Sequence, residues 1–221
     1  MRLSTLVLVV LAAARASAQG VVSSEALTTP SADSWPMHNG DYSGRRFSPL
    51  TTVTSSNVGS LSLGWTHRVV ATGPAGGGGT TAAVIKGTPV VANGVLYVTI
   101  PDHVWALDAR SGRELWHATW ASKGGWHIGN RGVAVLGSSV YVSTPDCYLL
   151  SLDNRTGKEK WRTPICDLDQ FYYASAAPLI VRNRTAFLSF VIASSPFAPR
   201  ATCAASPPYG GSWVTSELME A

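Results

Sequence analysis

TPVVANGVLYVTIPDHVWALDARSGRELW, residues 88–116, and RGVAVLGSSVYVSTPDCYLLSLDNRTGKEKW, residues 131–161, say one thing twice. Asp108, Gly112 and Trp116 of the first stretch recur as Asp153, Gly157 and Trp161, each 45 residues downstream. A fixed period near this length marks a repeat architecture. The first copy reads as Val90-Val91, then Asn93-Gly94, then Val95 to Val98: strand, tight turn, strand. Asn-Gly between β-branched runs is a strong hairpin signal, because both turn positions need positive φ. Val104 to Leu107 is a third strand, Asp108 to Gly112 a turn, and Glu114 to His117 a fourth strand. The second copy repeats this with Leu149 to Leu152, Asp153 to Gly157 and Glu159 to Arg162. Four short antiparallel strands in roughly 40–50 residues make a β-propeller blade. The fold class is all-β: a partial propeller with an incomplete ring.

The recurring pattern A-x-D-x-x-x-G-x-x-x-W stands as Ala106, Asp108, Gly112 and Trp116, with Ser151 replacing the Ala in the second copy. It resembles the tryptophan-docking motif of the pyrroloquinoline quinone (PQQ) dehydrogenases, whose eight blades close into a ring. The resemblance implies that each indole packs against a neighbouring blade's motif. Trp116 and Trp161 are therefore expected as core residues rather than as chemistry. A second stretch carries the same resemblance. Trp35, Asp41, Arg46-Phe47-Ser48-Pro49-Leu50, Asn57-Val58 and Trp65 follow the order of that family's lead-in segment. Asp41 and Arg46 are expected as a buried ion pair holding this loop, and Leu61 to His67 as the outer strand of a further blade.

Residues just before each innermost strand face a propeller's central channel. Three such places carry candidate ligands. Asn130-Arg131-Gly132 matches the family's N-R-G, which implies that Arg131 contacts the quinone. A planar guanidinium donates in a fixed fork and suits carboxylate and quinone oxygens. Ser175, in Ser-Ala-Ala-Pro, stands where the family places a hydroxyl near the cofactor. Lys86, before Gly87-Thr88-Pro89, replaces a Glu of alcohol-oxidising relatives. It either pairs with a quinone carboxylate or is a solvated strand-end Lys. Methanol-oxidising relatives have an adjacent Cys pair where this chain has Gly125 and Trp126. Trp126 offers either a stacking face for the quinone or blade-to-blade packing.

Other chemistry-bearing residues read as structural. His103, His117 and His127 each stand without a second ligand at metal spacing. Asp167 and Asp169 read as a turn, because a calcium site needs six or more oxygens. Gly73 to Gly79 matches no nucleotide-loop pattern. Cys147 opens the third strand of the second blade and Cys166 follows its fourth. Adjacent antiparallel strands bring the two within bridging distance, so a Cys147–Cys166 disulfide is expected, the alternative being two buried thiols.

Residues 1–18 read as a signal peptide: Arg2, the apolar run Leu6 to Ala14, and Ala16-Ser17-Ala18 as the cleavage site. Cleavage after Ala18 predicts a periplasmic or secreted chain. Residues 19–33 read as a mobile leader, residues 34–183 as propeller blades, and residues 184–221 as a disordered tail foreign to the family. Only 14% of the residues are charged and the net charge is +4, two of the cations being Arg2 and Arg15. With no basic cluster beyond Arg45-Arg46, nucleic acid is excluded as a partner. No apolar run of the mature chain is long enough to span a bilayer.

The resemblance implies an exported PQQ- and Ca²⁺-dependent alcohol dehydrogenase, an oxidoreductase acting on CH–OH. Its partners would be a small alcohol and an electron acceptor, cytochrome c or a quinone. In that family Ca²⁺ polarises the quinone and an Asp accepts the alcohol proton. The Asp base, the main Ca²⁺ ligands and the lower stacking Trp come from later blades, so no catalytic or metal-binding residue is assigned here. By itself this chain is expected to be inactive and to hold PQQ poorly. The competing reading is a non-enzymatic propeller scaffold of the cell envelope.

Overall fold

The computed structural model describes residues 21–69, 85–123, 130–170, 172–181, 184–189 and 212–215. Two four-stranded antiparallel sheets form its centre. The first runs in the order β1 (Val90–Ala92), β2 (Val95–Ile100), β3 (His103–Asp108) and β4 (Glu114–Thr119). The second runs β5 (Ala134–Leu136), β6 (Ser139–Ser143), β7 (Tyr148–Asp153) and β8 (Glu159–Pro164). Asn93 and Gly94 turn β1 into β2 with φ of 50° and 74°, the left-handed geometry that a two-residue hairpin needs. Both sheets carry an irregularity at the same place, between Ala106 and Leu107 and between Ser151 and Leu152. The sequence period is thus also a period of the hydrogen-bond ladder.

Burial follows from stacking. β3 is buried on both faces over five of its six residues, whereas β4 alternates between exposed and covered positions. Middle strands lie between neighbouring sheets, and outer strands meet water on one side. One apolar cluster joins the two sheets through Val90, Tyr97, Val104, Trp116, Val135, Val140, Leu150 and Leu152.

The repeated Asp-to-Gly turns make the joint. Asp108 Oδ1 accepts from the Arg110 and Ser111 amides and from Ser111 Oγ. Asp153 Oδ1 does the same with Arg155 and Thr156. Gly112 and Gly157 close the turns at φ of 70°. A Cβ on Gly157 would fall 2.6 Å from the indole of Trp116, and one on Gly112 would fall 2.3 Å from the indole of Trp65. Trp116 Nε1 donates to the Asn154 carbonyl at 2.8 Å, and Trp65 Nε1 to the Ala109 carbonyl at 3.3 Å. Each tryptophan therefore lies flat on the following sheet's glycine. Trp65 reaches its seat from a segment, residues 61–69, that belongs to no strand, where an outer strand was expected over Leu61 to His67.

Two further expectations differ from the structure. Residues 21–33 do not behave as a loose leader. Ser23 caps a short helix, α1 (Ser24–Thr28), by accepting from the Ala26 amide. Leu27 of α1 is 0% exposed. Val22 exchanges two backbone hydrogen bonds with Gly137 at the β5–β6 turn. An apolar residue on each side of a capped turn is enough to dock so short a segment. Beyond residue 183 the chain is not structureless either. β10 (Arg184–Ser189) pairs antiparallel with β9 (Leu179–Val181) and with β11 (Ser212–Thr215) to form a third sheet. Backbone pairing needs no sequence period, so a strand outside the repeat was invisible to a period search. Residues 1–18, expected to be a signal peptide, lie outside the described residues. No helix among the described residues is long and apolar enough to cross a membrane.

Candidate functional site

The first strands of the three sheets, β1, β5 and β9, lie together on one side, and the segments just ahead of them are stitched laterally. The Thr88 amide donates to the Arg131 carbonyl at 3.0 Å, and the Arg131 amide to the Ser175 carbonyl at 3.1 Å. Asn130, 2% exposed, holds this seam from below. Its amide nitrogen donates to the Ser143 carbonyl and its oxygen accepts from the Gly132 amide, each at 2.7 Å. Ser143 Oγ in turn donates to the Ala176 carbonyl at 2.6 Å. Glycine is required at two places for backbones to come so close. A Cβ on Gly87 would stand 2.5 Å from Thr99 Oγ1, and one on Gly132, at φ of 132°, would stand 3.0 Å from the Thr88 carbonyl.

This seam sets three of the sequence-derived candidates on one rim. Lys86 and Arg131 are exposed, and Ser175 is half-buried. Trp126 and His127 lie outside the described residues. Cys147 and Cys166 are joined by a disulfide with Cα atoms 4.9 Å apart, tying the start of β7 to the segment after β8. Asp167 Oδ1 accepts from the Asp169 amide, a local turn.

A lead-in loop crosses the same region. The Trp35 amide and carbonyl both bond to Val91 of β1 at 2.8 Å, and the Tyr42 hydroxyl donates to the Ile180 carbonyl of β9. Asp41 and Arg46 do not form the expected ion pair. Asp41 Oδ1 takes the amide and hydroxyl of Ser43 instead, and these bonds hold its carboxyl below the usual range. A local Asx turn outcompetes an exposed ion pair because it orders fewer side-chain torsions. Arg46, at φ of 53°, donates from Nε to Asn39 Oδ1 at 2.9 Å and from Nη2 to His38 Nε2 at 2.7 Å. Burial, first, and the charges of Arg46 and Arg131 hold His38 below its ordinary value, while the Arg131 carbonyl acts in the opposite direction. Sequence reasoning assigned His38 nothing; only the path of the loop brings it beside Arg131.

His103 and His117, expected to be solitary, are partners. Their ring nitrogens stand 2.9 Å apart, and Trp105 stacks on His117 at a centroid distance of 4.3 Å. Register explains this, since Trp105 and His117 face each other across β3 and β4. The pair lies near the outer strand and away from the rim.

Residues 35–160, more than half of the chain, match the sequence profile of the family described as PQQ, glucose/ethanol/alcohol dehydrogenase, β-propeller domain. The chain belongs to this family. The 1-butanol dehydrogenase (cytochrome c) of Thauera butanivorans is 35% identical over 158 residues, covering 68% of this chain and 21% of that protein. A quinohemoprotein alcohol dehydrogenase of Comamonas testosteroni is 34% identical over 134 residues, 58% of this chain and 18% of its own. The solved quinohemoprotein alcohol dehydrogenase ADHIIG of Pseudomonas putida superposes with a TM-score of 0.67 at 28% identity, over 77% of this chain and 25% of that one. The chain thus spans about a fifth to a quarter of the length of these relatives.

For a PQQ dehydrogenase blade set, the rim has the right chemistry for one side of an anionic planar quinone. Among the described residues no carboxylate pairs with Arg131 or Arg46. Thr99 Oγ1, beside Gly87, is buried there without a hydrogen-bond partner among the described residues. Buried polar atoms left unpaired are costly unless a ligand completes them. Among the described residues no three His, Cys, Asp or Glu side chains converge on a metal-sized site.

Proposed function

We propose that residues 34–183 supply the first blades of an exported, PQQ-dependent alcohol dehydrogenase, and that they oxidise no alcohol by themselves. The observation that carries this reading is the backbone seam that joins Thr88 to Arg131 and Arg131 to Ser175, Thr88 and Arg131 lying inside the family-matched span 35–160. Arg131 would clamp a carboxylate or quinone oxygen, Ser175 would donate a hydroxyl hydrogen bond, and Lys86 would add a point charge. Trp126 would lend a stacking face. When bound, PQQ supplies the two-electron acceptor. The chain's own share is to bind and orient it, since among the described residues no carboxylate pairs with Arg131 to serve as a base there. The Asp base and the Ca²⁺ ligands would come from blades beyond these, with a cytochrome c or quinone taking the electrons onward. One side of a channel does not exclude water or orient two reactants, which requires convergent walls.

The test is alcohol-dependent dye reduction. This chain with PQQ and Ca²⁺ should give none, and a chimera in which a relative's remaining blades follow residue 183 should give turnover. In the chimera, Arg131→Ala should weaken PQQ binding roughly 10- to 100-fold, the scale of one charged hydrogen bond. Turnover by the chain alone, or an Arg131→Ala chimera with unchanged quinone affinity, would overturn the reading.

A further inference from the structure

Where the chain leaves the outer strand of each central sheet and crosses toward the rim, one left-handed residue holds it. Asp102 stands just ahead of β3 at φ of 63°, and Cys147 just ahead of β7 at φ of 72°, 45 residues later. Residues other than glycine rarely adopt this backbone unless their surroundings hold it. Each accepts an amide of the crossing segment on its carbonyl: Trp120 donates to Asp102 at 3.2 Å and Ile165 to Cys147 at 2.8 Å. The next link differs. Asp102 takes the amide and hydroxyl of Ser122 on its carboxylate, whereas Cys147 is bridged to Cys166. The same clasp is thus built from a carboxylate in the first sheet and a disulfide in the second. The β7–β8 ladder ends at Tyr148 and Pro164, so the bridge lies past it and holds the departing segment rather than the strands. Cys147 is 1% exposed, and its Sγ also stands 3.3 Å from the Tyr172 carbonyl oxygen. A disulfide sulfur has no hydrogen to donate, so this is a packing contact. Tyr172 is itself buried and lies three residues before Ser175, whose carbonyl takes the Arg131 amide.

We propose that Cys147, through its bridge to Cys166 and its contact with Tyr172, is the positioning residue for Ser175, and that the Arg131–Ser175 seam is held firmly only while the bridge is oxidised. The bonds from the Tyr172 amide to the Asp167 carbonyl and from the Asp169 amide to Asp167 Oδ1 fold the crossing segment on itself and do not register it against the sheet. Registration comes from Cys147 at one end and from the rim at the other, where Ser143 Oγ donates to the Ala176 carbonyl. Reduction places two electrons and two protons on the sulfurs and leaves two thiols, so Cys166 is no longer tied to Cys147. Local opening of the segment then competes with the Arg131–Ser175 bond. The first sheet's clasp, built of hydrogen bonds alone, is indifferent to a reductant. That the seam matters for the quinone rests on the function proposed above; the coupling of bridge to seam does not.

The experiment follows amide exchange by NMR in this chain carrying Cys203→Ser, which removes the third cysteine, before and after reduction with a water-soluble trialkylphosphine. The phosphine and one water become the phosphine oxide as the two sulfurs become thiols. The Arg131 amide should exchange about tenfold faster or more once the bridge is open, while the Trp120 amide, held by the Asp102 clasp, keeps its rate. Cys166→Ser should reproduce the reduced state without reductant. An Arg131 amide whose exchange ignores reduction would overturn the proposal. So would acceleration of Arg131 and Trp120 by the same factor, which would make the bridge a staple of the whole fold. The chimera described above separates the two readings. If Arg131 exchange responds to reduction but neither Ser175→Ala nor Cys166→Ser moves PQQ affinity there, the positioning role stands and the Ser175 contact with the quinone falls. If Ser175→Ala weakens PQQ binding while Arg131 exchange ignores the bridge, the cofactor contact stands and the positioning role falls.

Discussion

Gly157 carries two constraints at once. Its φ of 70° is left-handed, and the space where a Cβ would stand is filled by the Trp116 indole, 2.6 Å away. Gly94 shares the backbone constraint, at φ of 74°, but has nothing within 4 Å. Gly94→Ala should cost about 1–2 kcal/mol, the strain of a left-handed residue. Gly157→Ala should cost about 2–4 kcal/mol, because overpacking adds to that strain. Urea midpoints followed by tryptophan fluorescence measure both, and equal costs would show that the indole seat contributes nothing. The 45-residue period made Gly112 and Gly157 legible in the sequence. Trp65 was harder to place, since it sits off that period and outside any strand. His38 and Arg46 were not legible as a pair at all, because nothing local fixes where an irregular loop carries a side chain.

At the scale of elements, β3 and β4 hold a titratable stack. His103 is held below its ordinary value chiefly by burial, then by the charge of His117, with Asp102 opposing. His117 is lowered by burial, with Glu114 opposing and His67 reinforcing. His67 itself stands 3.7 Å from Glu114. The unfolded chain therefore takes up these protons first as pH falls. The stability they contribute should be complete above about pH 6.5 and lost as pH drops through the depressed folded midpoints. His117→Gln should flatten this acid-side loss in urea midpoints measured from pH 8 to 5. An unchanged slope would show that the pair is not the titrating element. The eight strands of the two central sheets were readable because turn residues and apolar alternation agree there. The His pairing was not, since it depends on cross-strand register, which a turn-and-strand reading leaves open to one residue.

At the scale of the molecule, residues 22–42 act as a strap. Val22 bonds at the β5–β6 turn, Trp35 beside β1, and Tyr42 at β9, so one short stretch touches all three sheets. Leu27, between the first two of these anchors, is fully buried. Leu27→Ala should therefore cost about 2–4 kcal/mol, where a loose leader would give no change in the urea midpoint. The Ser/Thr/Ala-rich composition of residues 19–33 pointed to mobility, but the buried Leu27, the backbone anchors at Val22 and Trp35 and the Tyr42 hydroxyl decide otherwise.

The tryptophan seats also have a direction in time. Trp65 precedes Gly112 in the chain, and Trp116 precedes Gly157. A ribosome makes the indole first and its glycine seat a few dozen residues later. Each new turn then closes onto a tryptophan already waiting, over a short loop and without help from the far end of the polypeptide. Assembly of these blades can proceed in chain order wherever the polypeptide emerges amino end first, each sheet serving as the template on which the next one sets.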